Sequence, residues 1–193
     1  MIKKIVFLFA VVFHLPHLLV FISRPNPLIS ADMDRYPSLN SGSRAIDFLW
    51  LMTYCDEFRA VFYYRIGYLR LVLQWFHPVR INLHIYTPSR SVDGGLRVQH
   101  GFSTAIAAKS IGKNLWVNQQ VTIGYTNDHD APVIGNDVSI SAGAIVIGDV
   151  HIGDNSVIGA GAVVTKNVPP NCTVVGNPAY IIRRDGIKVR DEL

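Results

Sequence analysis

The sequence predicts a mainly β protein: a triangular parallel β-helix of six-residue repeats, preceded by an α-helical N-terminal region. Three observations predict it. An aliphatic residue recurs at six-residue steps, at Ile111, Val117 and Ile123, and again at Ile134, Ile140, Val146, Ile152, Ile158 and Val164. Small or turn-forming residues stand between them, as in IGNDVS, ISAGAI, VIGDVH, IGDNSV and IGAGAV. Ahead of them, Arg44 to Phe76 mixes aromatic and charged residues and lacks the beat. A period of six is neither the 2 of a strand nor the 3.6 of a helix. It suits a short strand and a tight corner, with one aliphatic side chain inward per segment and Gly, Asn or Asp at the corners. Three segments close a coil of about 18 residues, and coils stack as parallel strands about 4.8 Å apart. On this reading Val92 to Val168 supply roughly four coils.

In chain order, residues 1–24 come first. Lys3 and Lys4 precede the apolar run IVFLFAVVFHLPHLLVFI, Ile5 to Ile22. The run reaches the lower limit for a spanning helix. His14, Pro16 and His17 suit a lipid-exposed span poorly, and no clean A-x-A cleavage site follows. The expectation is a membrane-associating segment lying on or shallowly in the surface, with a span, a signal peptide or a buried helix as alternatives. The closing RDEL resembles an ER-retention tail, and nothing else supports that route. Residues 25–43, rich in Pro, Ser and Asn, read as a linker. Residues 44–78 read as a helical region. Ser43 is placed to cap it and Asp47 lies in its first turn. Two helical stretches are expected to meet near Gly67 and to stop at His77-Pro78, with their aromatics as packing surface. Residues 79–184 are the β-helix and 185–193 a basic/acidic tail.

Composition excludes several classes. With 49% hydrophobic and 17% charged residues in 193, the chain is not disordered. A net charge of +4, without a dense basic face interleaved with aromatics, argues against nucleic acid. Cys55 and Cys172 form no CxxC pair, which fits a reducing compartment, and no zinc-ligand spacing is present, so no metal is expected.

The run IGDNSVIGAGAVVTKNVPPN and the closing GNPAYIIRR resemble the hexapeptide-repeat acyltransferases, from about Val92 to Arg184. That family's fold is a left-handed parallel β-helix; the handedness is implied by the resemblance, since the usual crossover rule gives the opposite hand. RVQHGFSTAI with the later coils is most similar to the serine O-acetyltransferase branch and to capsule and exopolysaccharide O-acetyltransferases, and EFRAVFYYRIG resembles the latter. The resemblance implies acetyl-CoA as co-substrate, a homotrimer, and His100 in VQHGF as catalytic base. A histidine, with an ordinary pKa of about 6.5, suits a base working near neutrality. The family pattern further implies backbone donors at Ala142 and Gly143 for the oxyanion, and contacts from Ala160, Thr165, Lys166 and Arg183 to coenzyme A.

The loop Tyr125 to Pro132 interrupts the repeat and is expected to form a lip over the acceptor, with Tyr125, Asp128, His129 and Asp130 as acceptor-binding residues. Two departures from the serine enzymes stand out. They carry an aspartate just before the histidine, where Gln99 stands here, and another about fifteen residues earlier, where no acid lies near Ile85. His84, Tyr86, Asp93 or a backbone carbonyl remain as candidates to orient His100. In the loop, the place of their carboxylate-clamping arginine holds Asp130.

These features favour an acetyl-CoA-dependent O-acetyltransferase acting on a sugar hydroxyl of a surface polysaccharide or its lipid-linked precursor, at the cytoplasmic face of the inner membrane. Transfer is expected to be direct, because no activated Cys or Ser is evident. The alternatives are serine O-acetylation for cysteine biosynthesis and a non-catalytic scaffold, which would be indifferent to loss of His100. Zinc hydration chemistry on the same fold needs an HxxxxH pair that the chain lacks.

Overall fold

The computed structural model describes residues 2–36, 41–128 and 130–193. Five helices lead: α1 (Ile2–Ser23), α2 (Pro27–Asp34), α3 (Arg44–Tyr54), α4 (Asp56–Ile66) and α5 (Arg70–Leu73). Helix α1 packs one side onto this layer. Phe21 stacks on Phe48 with ring centroids 4.4 Å apart, and His14 and His17 are fully buried. His17 Nε2 meets the Tyr63 hydroxyl at 2.8 Å, and His77 Nδ1 meets His14 Nε2 at 2.9 Å. Burial first, then neighbouring positive charge, lowers His14 from 6.5 to about 3; burial lowers His17 to about 4, so both rings are neutral. Among the described residues no helix is long and apolar enough to cross a membrane. Gly67, at φ +60, ends α4, where the two helical stretches were expected to meet.

The expected linker 25–43 is corrected. Asn26 caps α2 by accepting from the Leu28 N–H at 2.9 Å, and Pro27 sits at its first position. Helix α2 carries the buried Asp32, whose carboxylate accepts from Arg65 Nε (2.9 Å) and from the backbone N–H groups of Gly95 (2.8 Å) and Leu96 (2.7 Å). Arg65 donates onward to the carbonyls of Val92 (2.6 Å) and Asp93 (2.7 Å). The segment ties the helices to the first coil. Ser43 stands at the start of α3 but makes no side-chain capping bond.

The β-helix has three faces. The first stacks Leu83–Ile85, Thr104–Ile106, Thr122–Gly124, Ile145–Ile147 and Val163–Val164, all parallel. The second stacks Ser110–Ile111, Val133–Ile134 and His151–Ile152, extended by the bridges Val92↔Ile111 and Ile152↔Val168. The third stacks Arg97–Val98, Trp116–Val117, Ser139–Ile140, Val157–Ile158 and Cys172–Val175. Inside run three ladders, for example Val98, Val117, Ile140, Ile158 and Val174, all buried. Each such side chain contributes about 1.5–3 kcal/mol of burial. The first face has five strands where the sequence reading counted roughly four coils, because Leu83–Ile85 pairs in register with Thr104–Ile106 from a stretch without the hexad signature.

The edge between the second and third faces repeats a left-handed residue: Asn114, Asp137, Asn155 and Asn171 all have φ between 55 and 62. Asn and Asp tolerate that conformation best among side-chain-bearing residues. Their side chains also join coils, as in Asn114 Nδ2 to Asp137 Oδ1 at 2.9 Å. The expected tail 185–193 is also corrected. Ile187–Glu192 pairs antiparallel with Tyr180–Arg184, which pairs with Cys172–Val175, so a hairpin closes the third face. Asp185 (φ 50) and Gly186 (φ 78) make its two-residue turn.

Candidate functional site

Two insertions break the hexad spacing, and both fall at prism edges. Val117 to Ile123, Ile140 to Val146 and Ile158 to Val164 are each six residues apart, but Val98 to Ile106 is eight. The two extra residues bulge at the edge between the third and first faces, and His100 sits on the bulge. Its backbone is left-handed (φ 61) and its side chain exposed. Beside it Gly101 is buried: a Cβ there would stand 2.9 Å from Val98 and 3.4 Å from Glu57 and Ile81. The bulge is therefore pressed against the start of α4. Positive φ recurs at corner residues such as Asn114 and Gln120, so what sets His100 apart is the two-residue bulge that carries it.

None of the residues considered for orienting His100 bonds it. His84 Nε2 pairs with Asn82 Oδ1 at 2.6 Å and its ring stacks on Tyr86, with centroids 5.9 Å apart. The Asp93 carbonyl is held by Arg65. Among the described residues no side chain hydrogen-bonds the exposed His100 ring.

The second insertion is the lip. Ile123 to Ile134 spans eleven residues at the edge between the first and second faces. Tyr125 and Asp128 are exposed, and His129 lies outside the described residues. Asp130 has a structural role: its carboxylate accepts from the Thr126 N–H at 2.7 Å, the Asn127 N–H at 3.2 Å, the Asn127 amide at 3.0 Å and the Thr126 hydroxyl. These bonds, the Thr126 hydroxyl first, hold the carboxyl below its usual range. Asp130, expected among the acceptor-binding residues, closes the loop on itself through these bonds.

The His100 edge continues down the prism as a shelf. Ala142–Gly143 and Ala160–Gly161 occupy the equivalent corner of later coils, joined by the Gly161 N–H to the Ala142 carbonyl at 3.0 Å. Gly143 (φ 69) is the third residue of a turn in which the Ala144 N–H returns to the Ser141 carbonyl. Its own N–H is donated to the Gln119 carbonyl at 3.0 Å, so Gly143 is not a free oxyanion donor as expected. The Ala142 N–H has no acceptor among the described residues. Ala142 lies two coil steps, about 10 Å, from the His100 bulge. That length fits a histidine ring, an acceptor hydroxyl and a thioester carbonyl in sequence.

At the far end a cavity of about 600 Å³ opens between the last first-face strand and the closing hairpin, lined by Val163, Thr165, Lys166, Tyr180 and Arg190 among others. Its size is that of a ligand site. Thr165 and Lys166 are thus brought together; Lys166 Nζ donates to the Leu193 carbonyl oxygen at 2.6 Å. Ala160 is exposed on the shelf. Arg183 is exposed on the hairpin and does not line the cavity. Sequence reasoning missed two residues. Arg190, within 5.7 Å of the Tyr180 ring, lines the cavity from the expected tail. Gln119, one coil beyond the His100 bulge, has a buried amide oxygen with no partner; the pair Gln119–Gln120 at that corner was its available signal.

Comparisons with known proteins follow the same outline. Residues 131–166 match the family described as bacterial transferase hexapeptide (six repeats). A serine acetyltransferase of Synechococcus elongatus is 39% identical over 106 residues, covering 53% of this chain and 43% of that protein. One from Bacillus subtilis is 33% identical over 140 residues, covering 70% of this chain and 62% of its own length. The chain spans about half the length of the curated relatives it matches. Among solved structures, a Neisseria gonorrhoeae serine acetyltransferase in complex with serine has a TM-score of 0.63 at 27% identity, covering 87% of this chain and 72% of that one. One from Brucella abortus in complex with coenzyme A has a TM-score of 0.64 at 26% identity, covering 88% and 72%.

Proposed function

From the match to the hexapeptide-repeat transferases and the likeness to serine acetyltransferases, we propose that the chain transfers acetyl from acetyl-CoA to the hydroxyl of serine. The observation that carries the reading is His100, raised on a two-residue bulge at the edge that also bears the Ala142–Gly143 and Ala160–Gly161 corners. A ring nitrogen of His100 takes the proton as the hydroxyl oxygen attacks the thioester carbonyl. The Ala142 N–H stabilises the oxyanion; a donor of this kind is typically worth about 3 kcal/mol. The C–S bond then breaks, and the departing thiolate takes the proton from the imidazolium. The pantetheine arm runs along the alanine shelf, and its phosphates meet Lys166, Thr165 and Arg190 at the cavity.

We further infer a homotrimer. The lip and His100 stand on opposite edges of the first face, which separates them by roughly 10–15 Å. A lip that covers an acceptor held at His100 therefore comes from a neighbouring prism, as a closed ring of head-to-tail contacts provides.

One observation favours a second acceptor, a sugar hydroxyl of a polysaccharide precursor. Between Tyr125 and Pro132 the sequence has no Lys or Arg to clamp serine's carboxylate, and Asp130 is committed to closing the loop. Neutral hydroxyls need no such cation. Thiol release from acetyl-CoA by the full chain, with L-serine and with a panel of sugars and glycolipids, separates the two. Serine-dependent release above every sugar supports the first reading; the reverse order selects the second.

A further inference from the structure

We propose that the exposed face formed by α1 and α5 rests on an anionic lipid surface. From Ile5 to Ile22 helix α1 is apolar apart from His14 and His17, and such a helix ordinarily has a partner on every side. Here only one side is packed: Phe9, Val12, Phe13 and Leu19 are more than half exposed on the other. The patch continues onto α5 and its flanks, where Val72 is 63%, Trp75 88% and Tyr68 91% exposed. The two parts adjoin. Phe76 lies edge-on to His17 at 6.4 Å, and His77 meets His14 at 2.9 Å. Apolar surface of this extent on a folded chain marks an interaction site.

Charge decides what covers it. Residues 1–31 and 58–92, which contain α1 and α5, carry no Asp or Glu. Arg24, Arg70 and Arg80 are exposed there, and Arg80 lies near enough to His77 for its charge to bear on that ring. The nearest acid on α4, Asp56, is held by Arg59. Two copies meeting through this face about a two-fold axis would set arginines against arginines with no acid between them. An acid-free patch of exposed aromatics with a basic rim instead matches the interfacial zone of an anionic bilayer, where Trp and Tyr sit at headgroup depth and cations meet lipid phosphates. Because one side of α1 is packed on the helical layer through the buried His14 and His17, the helix lies along the surface rather than through it.

The test is flotation of the full chain with vesicles of phosphatidylcholine alone or mixed with phosphatidylglycerol. Partition into the anionic vesicles is expected to exceed that into neutral ones by about tenfold or more, and to fall as salt rises. The double variant Phe13→Asp, Trp75→Asp changes exposed positions only. It is expected to lose flotation while keeping its sedimentation coefficient and its thiol release from acetyl-CoA, a readout that keeps this proposal separate from that of the reaction. Equal partition into both vesicle types, no flotation, or a variant that sediments as a smaller particle while the parent ignores vesicles would each overturn the proposal, the last by marking the face as a protein contact.

Discussion

At the scale of residues, the proposed chemistry turns on the His100 corner. If His100 is the base, His100→Ala is expected to lower turnover by about 10²–10⁴ while coenzyme A affinity and circular dichroism stay unchanged; turnover near that of the parent would remove it from the mechanism. That His100 stands clear of the coil was legible from the glycine beside it, while its role as base came from the family resemblance; the insertion is countable once the ladder positions Val98 and Ile106 are known. What the Asp130 carboxylate does was not legible. Its place in the loop suggested an acceptor contact, yet its partners Thr126 and Asn127 lie four and three residues away in a loop whose path no periodicity specifies. The same limit hid the Gly143 N–H, because coil stacking rather than local sequence assigns it to the Gln119 carbonyl.

At the scale of elements, the helical layer depends on polar groups that composition disguised. Pro, Ser and Asn suggested a linker over 25–43, but Asn26-Pro27 is a helix start and Asp32 a buried partner for Arg65. Burial pushes the Asp32 carboxyl up from its usual value, and the Arg65 guanidinium and two backbone N–H groups pull it back. Asp32→Ala leaves Arg65 buried without its counter-ion, and is expected to cost about 3–5 kcal/mol in urea unfolding. A loss below about 1 kcal/mol would show that Arg65 finds another partner. Helix α1 adds a pH dependence. His14 and His17 are held near 3 and 4 when folded and return to 6.5 when unfolded. The unfolded chain therefore binds more protons across that window, so stability is full above pH 6.5 and falls as pH drops toward 4. The urea midpoint followed by helical circular dichroism should track this, and a flat profile would place the two rings in water.

At the scale of the whole molecule, the solenoid was legible because one inward aliphatic per hexad is repeated without error after Ile134, and every repeat makes the same demand on its neighbours. Its two ends were not. Leu83–Ile85 and Ile187–Glu192 pair with coils through registers that carry no hexad, although Asp185-Gly186 is a hairpin signal in its own right. The arrangement of prisms follows from where the two insertions fall. His100 and the lip occupy opposite edges of the first face, so a site that uses both draws them from two chains. Consider His100→Ala chains mixed by co-expression with chains whose residues 125–131 are replaced by two glycines, each inactive alone. In a ring where each site takes its histidine from one chain and its lip from the next, half the sites have an intact histidine, and half of those face an intact lip. About a quarter of parental thiol release is therefore expected from the mixture. A site contained within one chain predicts none, because no chain carries both parts. Activity in the mixture at the level of the separate variants would thus return the lip to the prism it grows from, and with it the acceptor to a single chain.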